Sequence, residues 1–546
     1  MMRSRPILLV LSTLSGVACS SEQGAATNQA PNQGNPAGSP VGAPQAGTLA
    51  AVGSAGRSAV GAAGSGPVGT VGSAAGRGVV AAGSGAIPIV AGQGAQAVAG
   101  SVAPSSVAGA PGTGSAGTPA SGSAGATGGA TPPNPTEAPM CMSKAPKEFE
   151  LNARLGGGGS PKESAHFAVF GASSPDTILN FMEAAHKCFI EDWCFRTPGL
   201  SAKADDGGPY YKLNIYSKAA MNAGGLTYWD APSELSYITV LASQANDPRT
   251  TVHEYGHAIT MSEHTWIDQK RTGFWWETVA NWVAYTFLGS PYCEAARTQY
   301  NVKPLTTIVD QMHTLQTVYN GAHTVICNDQ NYYQAWPFLM YLTNNPDKYA
   351  GLGKNAVQDL MRKYQKNSNE TPLHALDRIA MPVKAQTILG RYWARMAYMD
   401  IGFPVGQQDF LKTRSSLTFA ANWDSAGADI YKVKANRKPQ YGGANITPLK
   451  VTGSGDISVK VMNLGNGQTD SNFTATLAIR SMDNSIRYVD LPMGMGDAKV
   501  TMTDEVSLVV VNTPDKLYQF DPQYVGSPEN VGLNYQVQLT GAAPTN

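Results

Sequence analysis

Three rhythms of apolar and polar residues divide this chain. Residues 20–140 show neither a helical nor a strand period. From about Lys147 the spacing becomes regular. Residues 166–170 read as a strand, and residues 177–190 as a helix with Leu179, Met182, Ala185 and Phe189 on one side. Residues 210–216 alternate as a strand, and residues 237–242, rich in β-branched side chains, form another. Asp247 followed by Pro248 is an N-cap with proline at the first helical position, so a helix opens there and should run to about Ser262. The next helix, residues 273–288, is stopped by Gly289-Ser290-Pro291. Helical spacing returns over 336–342, 356–364 and 385–399.

After about Trp423 the rhythm becomes short alternating runs: 457–462, 475–479, 486–491, 498–502, 506–511 and 535–539. Turn residues such as Gly465-Asn466-Gly467 and Gly494-Met495-Gly496 separate them. That spacing predicts a β-sandwich of roughly a hundred residues. The expected organisation is a signal peptide over 1–18, a linker over 19–140, a mixed α/β catalytic domain over 141–424 and the β-sandwich over 425–546.

Composition accounts for the unpatterned stretch. Residues 20–140 are almost wholly Gly, Ala, Ser, Pro, Thr, Val and Gln. Such a segment cannot bury enough apolar surface to offset its chain entropy. It is expected to be a flexible tether with an end-to-end distance of about 60 Å. Ahead of it stand Arg3 and Arg5, an apolar run from Ile7 to Leu14, and the small residues before Cys19. That order is an export signal, too short for a membrane span. Cys19 resembles the lipidated cysteine of bacterial lipoproteins, although Gly16 stands where that motif usually has leucine. The resemblance implies attachment to an outer membrane or cell surface through a lipid on Cys19; plain secretion is the alternative.

The formal net charge is zero, with 39 basic and 39 acidic residues. The chain as a whole has no electrostatic footprint for nucleic acid, and no such partner is expected. Export permits disulfides. Cys188 with Cys194 and Cys293 with Cys327 are the most local pairings, with Cys141 left over, but sequence does not fix the connectivity. No CxxC pair is present to hold a cysteine zinc cluster.

The chemistry concentrates in His253-Glu254-Tyr255-Gly256-His257. Positions i and i+4 share a helix face, so both imidazoles can aim at one ion. Glu254, next to the first histidine, can serve as a base without being a ligand. A catalytic zinc site wants a third protein ligand. Glu277 lies on the following helix, with nineteen residues between it and His257; Glu263 and His264 are the nearer alternatives. The other possibility for the motif is a surface helix with two solvated histidines.

HExxH with a glutamate on the next helix resembles the gluzincins, the thermolysin-like zinc peptidases. The resemblance is good from His253 to about Leu288 and only general elsewhere. It implies an α+β zincin-like catalytic domain, a small sheet plus active-site helices, holding one catalytic Zn2+ on His253, His257 and Glu277. The usual aspartate four residues after the ligand glutamate is here Asn281, which could still accept a hydrogen bond from the first histidine. A downstream Tyr or His would face the oxyanion; His323, Tyr332 and Tyr333 are candidates, with Tyr333 preferred. Trp275, Trp276 and Trp282 are either core or pocket walls. Substrate would add to a sheet edge, either residues 237–242 or the stretch around 224–228. The implied substrates are proteins or peptides; a separate reading has the same metal site act on a glycoprotein, with the β-sandwich gripping its sugar. The competing function is a surface binding or adhesion protein, with the β-sandwich as its recognition module.

Overall fold

The computed structural model describes residues 145–308, 315–419, 421–453 and 455–545, together with the backbone of Val17–Cys19. The rest of the expected signal and tether, Cys141 and His313 lie outside the described residues. Within them the protein is a mixed α/β assembly followed by a β-rich region.

The first sheet contains β1 (Val17–Cys19), β2 (Lys162–Glu163), β3 (Phe167–Phe170), β4 (Leu213–Lys218), β5 (Gly225–Asp230) and β6 (Leu235–Leu241). Its spatial order is β1-β5-β6-β4-β3-β2. β3, β4 and β6 run parallel, while β5 lies antiparallel to β6. The three-residue β1 sits antiparallel along the outer side of β5, with Ala18 opposite Leu226.

Helix α1 (Pro175–His186) follows β3 and continues into a wider π turn, Lys187–Asp192. α2 (Pro248–Ser262) and α3 (Trp275–Gly289) pack on each other and on the sheet. Smaller helices complete the region: α4 (Glu294–Gln299), α5 (Leu315–Gly321), α6 (Trp336–Asn344), α7 (Ala356–Arg362), α8 (Pro372–Ile379), α9 (Ala385–Met396) and α10 (Pro404–Thr413). α4, α5, α8 and α10 were not apparent from periodicity, being short segments whose burial comes from neighbours.

The β-rich region holds β7 (Trp423–Gly427), β8 (Ile430–Val433), β9 (Ala444–Val451), β10 (Gly455–Asn463), β11 (Phe473–Arg480), β12 (Ile486–Asp490), β13 (Met495–Val500), β14 (Glu505–Asn512), β15 (Tyr535–Thr540) and β16 (Ala542–Pro544). They form two five-stranded sheets, β13-β10-β15-β8-β7 and β12-β11-β14-β9-β16. Ile457, Val459 and Val537 from one, with Leu477, Leu508 and Val510 from the other, enclose a common core. β7, β8, β9 and β16 lie outside the alternating runs; in β9 a proline, Pro448, argues against a strand. Its proline stands opposite Ser507 of β14.

The second of these sheets is buried on both faces. Val506, Leu508 and Val510 of β14 point into the inter-sheet core, while Val509 and Val511 join the core of the helical region. This explains the unbroken Leu508-Val509-Val510-Val511 run, since a strand covered on both sides has no need of polar alternation. α9 and the turn after it cover that face. The Trp393 indole N–H donates to the Gly442 carbonyl at 2.8 Å, and the Tyr398 hydroxyl donates to the Glu505 carbonyl at 2.7 Å. Arg395 makes a two-pronged pair with Asp347 at 2.7 and 2.8 Å and lies over the Tyr488 ring at 5.0 Å.

The disulfides depart from the local pairings. Cys188 bonds Cys293, 105 residues away, because the π turn after α1 and the turn after α3 meet. Cys194 is also disulfide-bonded, and Cys327 is free and buried.

One core shared by the helices and the second sheet predicts a single unfolding unit. Val509→Asp places an unpaired carboxyl in that core and should cost more than about 3 kcal/mol. Urea unfolding followed by tryptophan fluorescence and by far-ultraviolet dichroism should show one lowered midpoint for both probes. Two separated midpoints would mean that the regions unfold independently.

Candidate metal centre

Local sequence builds α2 as expected. The Asp247 carboxylate accepts from the Arg249 backbone N–H at 2.9 Å, capping a helix that starts at Pro248. Every residue from Thr251 to Ser262 is buried. The alternative of two solvated surface histidines therefore fails. A helix buried all round must find partners for its polar groups. The Thr251 hydroxyl donates to the Ala245 carbonyl at 3.0 Å, and the Thr260 hydroxyl to the Gly256 carbonyl at 3.0 Å.

Gly256 sets the spacing to α3. A Cβ there would stand 2.7 Å from the Ala280 Cα and 3.1 Å from the Val283 Cβ. The two helices thus meet backbone to backbone, and this contact carries Glu277 up to the histidines. The His253 Nε2 lies 3.1 Å from the Glu277 Oε2 and 3.2 Å from the His257 Nε2. The His257 Nε2 lies 3.2 Å from the same Glu277 oxygen. The imidazole planes cross at 81°. An ion held at metal–ligand lengths of ~2.1 Å in a tetrahedral site separates its ligand atoms by about 3.4 Å. The three edges of this triangle come close to that, so the three residues could hold a metal ion.

The surroundings favour the charges such a site needs. Burial pushes the Glu277 carboxyl upward, but His257 and His253 overcome it and hold it at about 2. Burial raises the Glu254 carboxyl, against the pull of His257 and His253 and the hydrogen bond from Thr227. The His253 Nδ1 stands 2.7 Å from the Asn281 Oδ1, and the Asn281 Nδ2 donates to the Tyr333 carbonyl at 2.9 Å. The carbonyl fixes which end of the amide faces the ring. The His253 Nδ1 then carries the proton, leaving the Nε2 lone pair able to bind a metal ion.

Glu254 lies on the same helix with one oxygen tied and one not. Its Oε2 accepts from the Thr227 hydroxyl at 2.7 Å. Its Oε1 is buried and has no hydrogen-bond partner among the described groups. A buried orphan acceptor beside a His-His-Glu triangle fits a base that waits for a water proton.

Other sequence candidates fall elsewhere. Glu263 is occupied by Arg362 at 2.7 and 2.8 Å and by the Arg196 backbone N–H at 2.8 Å, so it is not a ligand. His264 is absent from the cluster and takes a left-handed backbone turn. Tyr333 reaches the site in a way the sequence did not suggest: its main-chain carbonyl orients Asn281, while its ring packs 6.2 Å from that of His253. Tyr332 stacks on Phe274, and His323 sits against Arg437. Trp275 and Trp282 are core, and Trp276 is half-buried. Sequence reasoning did not find Thr227. The available signal was period two, which puts Gly225 and Thr227 on one face of β5.

A second group, His166, His186 and Glu191, also gathers nitrogen and oxygen atoms. Here the two imidazoles stack at 3.7 Å with planes only 11° apart. Stacked rings keep their lone pairs in two separate, nearly parallel planes, a poor arrangement for meeting at one ion. The His166 Nδ1 pairs with Glu183 at 2.7 Å, and burial lowers the His186 pKa well below its ordinary value. This group reads as a packed buttress behind Tyr255, whose hydroxyl is 3.4 Å from the His186 Nδ1.

These features define a mixed α/β protein with a buried two-histidine, one-glutamate cluster suited to a metal ion. The chain belongs to DUF6055, a family of unknown function, whose profile matches residues 156–546. None of the curated proteins compared with the chain matches it.

The Gly256 contact yields a direct test. Gly256→Ala should push α2 from α3, destabilising the protein by about 1–3 kcal/mol and weakening metal binding with it. Urea midpoints with and without added Zn2+ measure both. An unchanged pair of midpoints would show that the helices have room to spare.

Proposed function

We propose that the protein is an exported zinc-dependent peptidase of the gluzincin type. The observation that carries this reading is the partnerless, buried Oε1 of Glu254 on the helix that supplies both histidines. A purely structural metal site has no use for it. The mixed sheet with antiparallel β5 beside α2 supports a zincin-like domain, and the His253, His257 and Glu277 donors suit Zn2+.

Zinc bound there would polarise a carbonyl and lower the pKa of water to about 7. The chain's own residues do the rest. Glu254 takes the proton of the attacking water and passes it to the departing amine. Asn281 keeps His253 in the ligating tautomer. With the signal peptide removed, β5 is the outermost strand on that side of the sheet, and an extended chain adding to its edge favours a peptide substrate over other acyl compounds. Attachment through a lipid on Cys19 is part of the same proposal. Among the described residues no helix is long and apolar enough to cross a membrane.

The full chain should bind about one zinc and cleave unfolded protein such as denatured casein, with cleavage lost on chelation. Glu254→Gln should keep its metal, measured by elemental analysis, and lose at least ~100-fold in cleavage rate. A Glu254→Gln protein that cleaves as fast as the parent would remove Glu254 from the mechanism.

A further inference from the structure

The strand in front of the metal centre does more than offer an edge. Thr227 is fully buried on β5, and its hydroxyl reaches two atoms of one residue: the Glu254 backbone carbonyl at 2.9 Å and the Glu254 Oε2 at 2.7 Å. A hydroxyl has one proton and both of these oxygens are acceptors, so the single O–H is shared between them, with the carboxyl oxygen the nearer. Two residues earlier on the same face, Gly225 leaves no side chain. A Cβ there would stand 2.5 Å from the Glu254 Oε1 and 2.6 Å from its Cγ. The carboxyl therefore rests on bare backbone at one position and is fastened at the next.

We propose that Thr227 is the positioning residue for the catalytic base, engaging Oε2 of Glu254 so that Oε1 is the oxygen that accepts the proton. The proposal rests on Glu254 being the base in the reading above. Thr227 belongs to the strand whose outer side would receive the peptide, so substrate docking and the aim of the base share one rigid element. Thr227 touches no reacting atom and acts only through Glu254.

The test uses the full chain loaded with Co2+, whose absorption reports ligands, and acetohydroxamate as probe. That acid gives up one proton on binding the metal, and Glu254 is the group placed to take it. Thr227→Val keeps the branched shape without the hydroxyl. It should hold Co2+ as tightly as the parent yet bind acetohydroxamate about tenfold more weakly, an energy of about 1.4 kcal/mol. Thr227→Ser should recover most of that loss. In a Glu254→Gln background, Thr227→Val should have no further effect. Equal probe binding by parent and Thr227→Val overturns the proposal, as does an equal loss in the Glu254→Gln background. Thr227→Ala guards against misfolding of the valine variant. If valine, alanine and serine all abolish metal binding, Thr227 is a scaffold residue and the proposal fails. Should the chain bind Co2+ and the probe with the predicted pattern but cleave no peptide, the peptidase reading fails while Thr227 keeps its role.

Discussion

The structure turns on the burial of α2. A helix covered on every side from Thr251 to Ser262 is ordinarily apolar, yet this one carries two histidines, a glutamate and four hydroxyl residues within that span. Each polar group must be satisfied inside the protein or remain costly. Much of the surrounding architecture answers that demand. α3 supplies Glu277 and Asn281 to the histidines, β5 supplies Thr227 to Glu254, and the Arg196 carbonyl accepts from the Ser262 hydroxyl at 2.5 Å. The groups left over are informative for the same reason. Oε1 of Glu254 and Nδ1 of His257 are buried without partners. The Glu254 oxygen belongs to the residue next to His253 at the candidate centre, where an unmet polar group is expected of a site that binds something, whereas His257 meets the triangle through Nε2 and not through Nδ1.

Rigidity at the centre follows from close contact rather than from extra bonds. Gly256 lets α2 and α3 touch, and Gly225 lets β5 touch the Glu254 side chain. Both glycines are required by space, since neither has a positive φ. Behind the site, Trp282 stands in an aromatic cluster with Phe189, Trp193 and Phe195. The Cys188–Cys293 bond fastens α1's final turn to the end of α3 in the same region. The His253, His257 and Glu277 cluster is thus backed by elements from segments far apart in sequence.

The β-rich region takes part in this support. Its second sheet presents Val509, Val511, Ile446 and Ala478 to the helical core, and α9 covers that sheet with Trp393 and Tyr398 bonded to its strands or their ends. A tethered recognition module would keep that face in water or for a partner. Here the face is spent on the fold, so any recognition surface must lie on the opposite sheet or its loops.

Local rules sufficed for the elements with strong local signals. The cap and proline at Asp247-Pro248 placed the start of α2, and its i, i+4 spacing put His253 and His257 on one face. The alternating runs after Trp423 located β10 to β15, but not the short β7, β8 and β16, nor β9, where Pro448 interrupts the pattern. What the sequence could not determine were contacts between distant segments, because no local energy encodes them. Folding decided that Cys188 meets Cys293 and not Cys194, and that Glu263 turns to Arg362. It also decided that Tyr333 orients Asn281 with its main chain, and that Thr227 lies against Glu254. The histidine pair was legible because its geometry is that of one helix. Everything that orients the pair and the neighbouring Glu254 carboxyl comes from other elements, and only packing brings those within reach.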